Sequence, residues 1–120
     1  MKLSDVDTSS ISGLCCSPAG LLFLLDSGLS AIYRLDLSTG DCTTIARLDS
    51  AVDVAFFGVF VVVLLQNGIL LLDPEGNVLK KHTVVFPSQP VAVCTTFASI
   101  IVVCENTDIC SYRIDLLWTC

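Results

Sequence analysis

The stretch SPAGLLFLLDSGLSAIYRLDLSTGDCTTI, residues 17–45, is divided at short intervals by residues that favour turns. LLFLLD runs into Ser27-Gly28, AIYRLD runs into LSTGD, and CTTI opens a more polar segment. Apolar runs of this length, bounded by Gly, Ser and Asp, read as strands. Because the first two scarcely alternate, they are expected to be buried on both faces, since a half-solvated strand would alternate apolar with polar.

The same order recurs along the chain. Three segments begin at Ile11, Ala51 and Pro90, each with a short strand: SGLC (12–15), VDVA (52–55) and VAVC (91–94). They align Leu14, Val54 and Val93 at one position and the small residues Cys15, Ala55 and Cys94 at the next. LLFLLDSG (21–28), FVVVLLQNG (60–68) and IIVVCENTD (100–108) follow, and their closing residues Gly28, Gly68 and Asp108 are spaced 40 apart. AIYRLD (31–36), ILLLD (69–73) and ICSYRID (109–115) each close on aspartate. LSTGD and PEGN supply tight hairpins, with Gly40 and Gly76 free to take a positive φ. CTTIAR (42–47) and VLKKHTVV (78–85) are the most polar strands of their repeats, and the third repeat reaches LLWTC where its fourth strand should be under way.

Four hairpin-linked strands recurring about every 40 residues, buried inside and mixed outside, describe a propeller blade. The expectation is therefore an all-β chain, a partial β-propeller of about three four-stranded antiparallel blades over residues 11–120. The blades fall at about 11–48, 51–86 and 90–120, behind an N-terminal extension, 1–10. No window carries a 3.6-residue apolar stripe, so little or no helix is expected. A β-sandwich is the alternative, because it also buries layers of short strands.

YRLDLSTGD (33–41) resembles the Leu-Asp-x-x-Thr-Gly hairpin of quinoprotein-like and related propeller repeats, and LLDPEGNVLK (71–80) resembles the equivalent hairpin. The resemblance extends over roughly residues 11–120 and is to the β-propeller repeat superfamily, WD-repeat and quinoprotein-like blades together. The Gly-His and Trp-Asp pairs of WD repeats are missing, the sole tryptophan, Trp118, standing between Leu117 and Thr119. No cofactor-binding residue carries over.

Composition narrows the function classes. The chain has 120 residues, 53% of them hydrophobic, with 12 acidic against 6 basic residues and a formal charge of −6. That is ample for one packed domain, and the charge opposes binding to nucleic acid. The longest apolar run, VAFFGVFVVVLL (54–65), is broken by Gly58 and falls short of the roughly 20 residues of a spanning helix, so membrane insertion is not expected. MKLSDVDTSS lacks the apolar segment of a signal peptide, which points to a cytoplasmic protein. The seven cysteines form no Cys-x-x-Cys pair and most stand in apolar runs, which suits buried packing groups in a reducing compartment. A redox pair at Cys15 and Cys16 would have to join strand neighbours that point to opposite faces.

No group is committed to catalysis. His82, the single histidine, stands in KKHT on an outer strand, and no Gly-x-Ser-x-Gly elbow nominates a serine. Asp5 with Asp7, and Asp36 with Asp41, lack the glycine and glutamate of a calcium loop and are better explained as turn formers. The expectation is thus no catalytic, cofactor-binding or metal-binding residue, and no cofactor. Asp53 interrupts an apolar first strand and is the best candidate for an acid facing a central channel, although its counterparts are Gly13 and Ala92. Partner-facing loops would carry Asp26, Asp49, Glu105 and Asp108, whereas the opposite loops carry Asp36, Asp41, Asp73, Glu75 and Asp115. Together these favour a non-enzymatic scaffold for protein–protein interaction. The alternative is a fragment of a propeller enzyme, a hydrolase or quinoprotein-like oxidoreductase, whose active site further blades complete. Closed propellers have roughly four to eight blades, so partners are expected to include protein ligands or additional blades, with homo-oligomerisation possible.

Overall fold

The structure, a computed structural model, describes Lys2 and residues 8–113. Among the described residues, a 3-10 turn at Thr8–Ser10 is followed by eleven strands. The first blade is β1 (Ile11–Cys16), β2 (Leu21–Asp26), β3 (Ala31–Asp36) and β4 (Cys42–Arg47), hydrogen-bonded in chain order. β5 (Ala51–Phe57), β6 (Phe60–Leu65), β7 (Gly68–Leu72) and β8 (Val78–Thr83) form the second in the same way. The third contains β9 (Pro90–Thr95), β10 (Ser99–Cys104) and β11 (Ile109–Arg113). Every pairing is antiparallel. The outer strand expected for the third blade, along with Asp5, Asp7, Asp115 and Trp118, lies outside the described residues.

The turns form for the reasons visible in the sequence. The long run 54–65 becomes two strands because Gly58, at φ 60°, reverses the chain between β5 and β6. The outer hairpins are closed by their aspartates. Asp36 Oδ1 accepts the Ser38 hydroxyl at 2.6 Å and the Ser38 N–H at 2.9 Å. Asp73 Oδ1 accepts the N–H groups of Asn77 at 2.9 Å and Glu75 at 3.0 Å, while its Oδ2 accepts the Asn77 amide at 2.9 Å. These bonds favour the ionised carboxylate, led by the Ser38 side chain at Asp36 and the Asn77 side chain at Asp73, and both acids are held below the ordinary aspartate range.

Strand alternation gives each blade a forward face, toward the next blade in the chain, and a rear face. Phe23, Leu25 and Ile32 on the forward face of blade 1 meet Val54, Val61 and Val63 on the rear of blade 2. Val62, Leu64 and Ile69 on the forward face of blade 2 then meet Val93, Ile100 and Val102 on the rear of blade 3. Blade 2 is covered on both sides, so every residue of β7 and every residue of β6 after Phe60 is buried. The inner strands β1, β5 and β9 run side by side, β1 against β5 and β5 against β9. The sheets therefore succeed one another around an axis, and the two-layer sandwich does not form.

Candidate functional site

In a four-strand meander the loops between strands one and two, and between three and four, emerge on one face. The remaining loops emerge on the other. On the first face, the inner turns are SPAG (17–20), GV (58–59) and TFA (96–98), none with a charged residue. Val59 and Phe97 are exposed there. Between blades 1 and 2 this face opens into a cavity of about 290 Å³, lined by Pro18, Ala19, Leu21, Phe56, Val59 and Pro74. Phe56 is supported from within the sheet layers by Phe23, the two rings stacking at 5.7 Å. The outer wall is fixed by Arg34, whose guanidinium donates to the Pro74 carbonyl and to Glu75 Oε2, each at 2.8 Å. Outside this apolar centre lie the acidic hairpins with Asp36, Asp41, Asp73 and Glu75. Asp41 is paired with Lys2 at 2.8 Å, which holds its carboxyl below the usual range.

The opposite face carries the four acids expected to meet partners, and they do not converge. Asp26 is a correction to that expectation: only 1% exposed, it turns inward. Its Oδ1 accepts the Leu29 N–H at 3.1 Å, and its Oδ2 accepts the Tyr33 hydroxyl at 3.4 Å, so the side chain closes the β2–β3 turn from inside. Burial, followed by the Asp26 charge and its hydrogen bond, pushes the Tyr33 phenol above its ordinary value. Asp49 and Glu105 are exposed at the tips of separate loops. Asp108 is half-buried and accepts the Ser88 hydroxyl at 3.0 Å. A second cavity, about 270 Å³, lies on this face between Gln66, Asn67, Phe86, Ser88, Gln89 and Pro90.

Asp53, the candidate channel acid, bridges blades. Its Oδ2 accepts the Val93 N–H of the next inner strand at 2.9 Å, and two residues along, the Thr95 hydroxyl donates to the Phe56 carbonyl at 2.7 Å. A Cβ on Gly13 would stand 2.8 Å from Asp53 Oδ1, so the glycine of blade 1 makes room for the acid of blade 2. Asp53→Ala leaves the Val93 N–H without its acceptor, and a loss of about 1–3 kcal/mol is expected. Asp53→Asn, which keeps a carbonyl oxygen there, should lose less. Urea denaturation of both variants checks this order.

Cys15 lies close to this acid. Burial first, then the proximity of Cys16 and Asp53, pushes its thiol up to about 12, far from nucleophilic at neutral pH. Cys15, Cys16, Cys42, Cys94, Cys104 and Cys110 are all free thiols, and Cys120 lies outside the described residues. His82 is half-buried on β8, opposite Ile69. Among the described residues, no three His, Cys, Asp or Glu side chains stand close enough to hold a metal ion. None of their helices is long and apolar enough to cross a membrane.

No protein-family model matches the chain, and no curated protein does. Solved structures match well. A chain in a nidogen/laminin complex superposes with a TM-score of 0.74 at 19% identity, covering 88% of this protein and 44% of that chain. A chain of a mitotic checkpoint complex gives 0.73 at 14% identity, with 92% and 35% covered. Virginiamycin B lyase from Staphylococcus aureus gives 0.62 at 19% identity, with 91% and 43% covered. All three are β-propellers. This chain is a partial β-propeller of about three blades. It spans less than half the length of each of these solved chains, and at such identities the likeness is one of fold.

Proposed function

We propose that this partial propeller is a non-catalytic interaction module that binds protein partners through its inner-turn face. One observation carries the reading: an uncharged apolar centre, with the cavity at Phe56 and Val59, lies inside a rim of acidic hairpins. An apolar side chain flanked by lysine or arginine fits such a face, the apolar group entering the cavity and the cations meeting the rim. Its fold neighbours include chains of protein complexes and a lyase, so the choice between scaffold and enzyme rests on the chemistry of the face. Residence in a reducing, cytoplasmic compartment belongs to the same proposal, on the ground that Cys42 and Cys104 serve as buried packing groups.

Selection from a displayed random-peptide library is the direct test. Enriched peptides are expected to combine an aromatic or aliphatic residue with nearby basic ones. Val59→Asp should weaken their binding at least about tenfold, whereas Glu105→Gln on the opposite face should leave it unchanged. Enrichment of acidic peptides, or binding indifferent to Val59→Asp, would overturn the assignment.

A further inference from the structure

Two cysteines meet at the turn end of the β10–β11 hairpin. The strand register sets Val102 opposite Cys110 and Val103 opposite Ile109. The Cys104 N–H extends the ladder by one step, donating to the Asp108 carbonyl at 2.9 Å. Cys104 and Cys110 are therefore diagonal neighbours on one face of the sheet, since strand residues two apart point the same way. Both belong to the core cluster at the seam between blades 2 and 3, together with Tyr112 and Phe86. The two thiols are hydrogen-bonded to each other, and the Tyr112 hydroxyl bonds to the Cys110 sulfur as well. Cys15 and Cys16, the other neighbouring pair, are consecutive strand residues and point to opposite faces.

The geometry points to Cys104 and Cys110 as a redox-sensitive dithiol, which peroxide closes into a disulfide across the β10–β11 hairpin and small thiols reopen. Diagonal neighbours have Cα atoms about 7–8 Å apart, and a disulfide holds them at about 4.4–6.8 Å, so closure draws the strands together by roughly 1–2 Å. β11 can make that movement. Among the described residues it is paired with β10 alone, and the turn that follows Cys104 passes through Thr107 in the left-handed region, at φ 62°.

The two cysteines divide the chemistry by exposure. Cys110 is half-buried, whereas Cys104 is 2% exposed. Peroxide meets Cys110 first: an S–O bond forms, the O–O bond breaks, and a sulfenic acid and one water result. Burial pushes the Cys104 thiol above its ordinary value, so this sulfur is the resolving partner rather than the first target. It attacks the Cys110 sulfur; the S–S bond forms, the S–O bond breaks, and the departing hydroxide takes the Cys104 proton as a second water. Two electrons pass from the thiols to peroxide. In the reducing compartment proposed above the dithiol is the resting state, and the disulfide is a transient response to oxidant. This inference goes beyond the peptide-binding reading, and its test uses no peptide.

The full chain is exposed to hydrogen peroxide, quenched in acid, unfolded, alkylated and mapped by mass spectrometry. Cys104 and Cys110 should lose their label together, and the peptide containing both should lack two hydrogens. Dithiothreitol should restore both labels, while the buried Cys42 stays labelled throughout. Cys110→Ser should leave Cys104 a free thiol under the same treatment. Cys104→Ser should deprive Cys110 of its resolving partner, so that peroxide carries it on to a sulfinic acid that dithiothreitol does not reverse. Circular dichroism of the reduced variants checks their folds, and Cys110→Ser, at the more exposed position, suffices if Cys104→Ser does not fold. Full labelling of both cysteines after peroxide, a disulfide from either to a third cysteine, or unchanged oxidation of Cys104 in Cys110→Ser would each overturn the assignment.

Discussion

Phe23→Ala is expected to lower the folding free energy by about 3–5 kcal/mol. The ring is 0% exposed, stacks on Phe56 at 5.7 Å, and lies in the seam between blades 1 and 2 beside Leu25 and Ile32. Removing it leaves a void between two hydrogen-bonded sheets, each held by its own ladder, so neither can move far to fill the space. Against a total stability of about 5–15 kcal/mol for a domain, the loss would be a large part of the whole. A urea titration should show a much lower midpoint with little change in slope. Phe97→Ala, at a position 95% exposed, is the control and should shift stability by no more than about 0.5 kcal/mol. Equal effects of the two would mean that the seam between blades 1 and 2 is not a packed core.

Gly76→Ala should also be strongly destabilising, and Gly58→Ala shows why. Both glycines have positive φ, 92° and 60°, so both substitutions carry the left-handed penalty of roughly 1–2 kcal/mol. At Gly58 an added Cβ meets nothing within 4 Å. At Gly76 it would collide with the carbonyl oxygen of Ile45 on β4 of the neighbouring blade. The β7–β8 hairpin lies directly on that strand, and backbone cannot rotate aside as a side chain can. Gly76→Ala is therefore expected to cost about 1–3 kcal/mol more than Gly58→Ala. Matched denaturation curves give the difference, and equal losses would show that the hairpin lifts from blade 1 without strain.

The strands and their order were legible because apolar runs and turn residues are local signals. AIYRLD and CTTIAR match β3 and β4 residue for residue, and Gly58 divides the run 54–65 where the break was read. The direction in which each strand residue points was harder to see. In SIIVVC every position but the ends is apolar, so nothing in the string separates Ile100 and Val102, which meet blade 2, from Ile101 and Val103, which face away from it. The partners of charged groups were hidden for a related reason. Asp26 looks like any turn aspartate until the β2–β3 register brings Tyr33 beside it, and the bond from Asp53 to the next blade is visible only once Val93 is in place. One signal for Asp53 was present: its counterpart in blade 1 is a glycine, the one residue that leaves room for a neighbour's carboxylate. The apolar inner-turn face was missed because SPAG, GV and TFA are unremarkable singly and gain meaning only when three turns stand side by side.

The relay of forward and rear faces also governs how the chain emerges from the ribosome. Blade 1 can form its ladder as soon as residue 47 is free, but Phe23, Leu25 and Ile32 stay bare until β5, β6 and β7 have followed. At roughly 5–20 residues per second, that is a delay of a few seconds. When blade 2 docks it covers this surface and exposes Val62, Leu64 and Ile69 in its place, until blade 3 arrives. The nascent chain thus shows about one blade's worth of sticky surface at any moment, handed from each sheet to the next, so the opportunity for a chaperone or a misassembled neighbour stays level as synthesis proceeds.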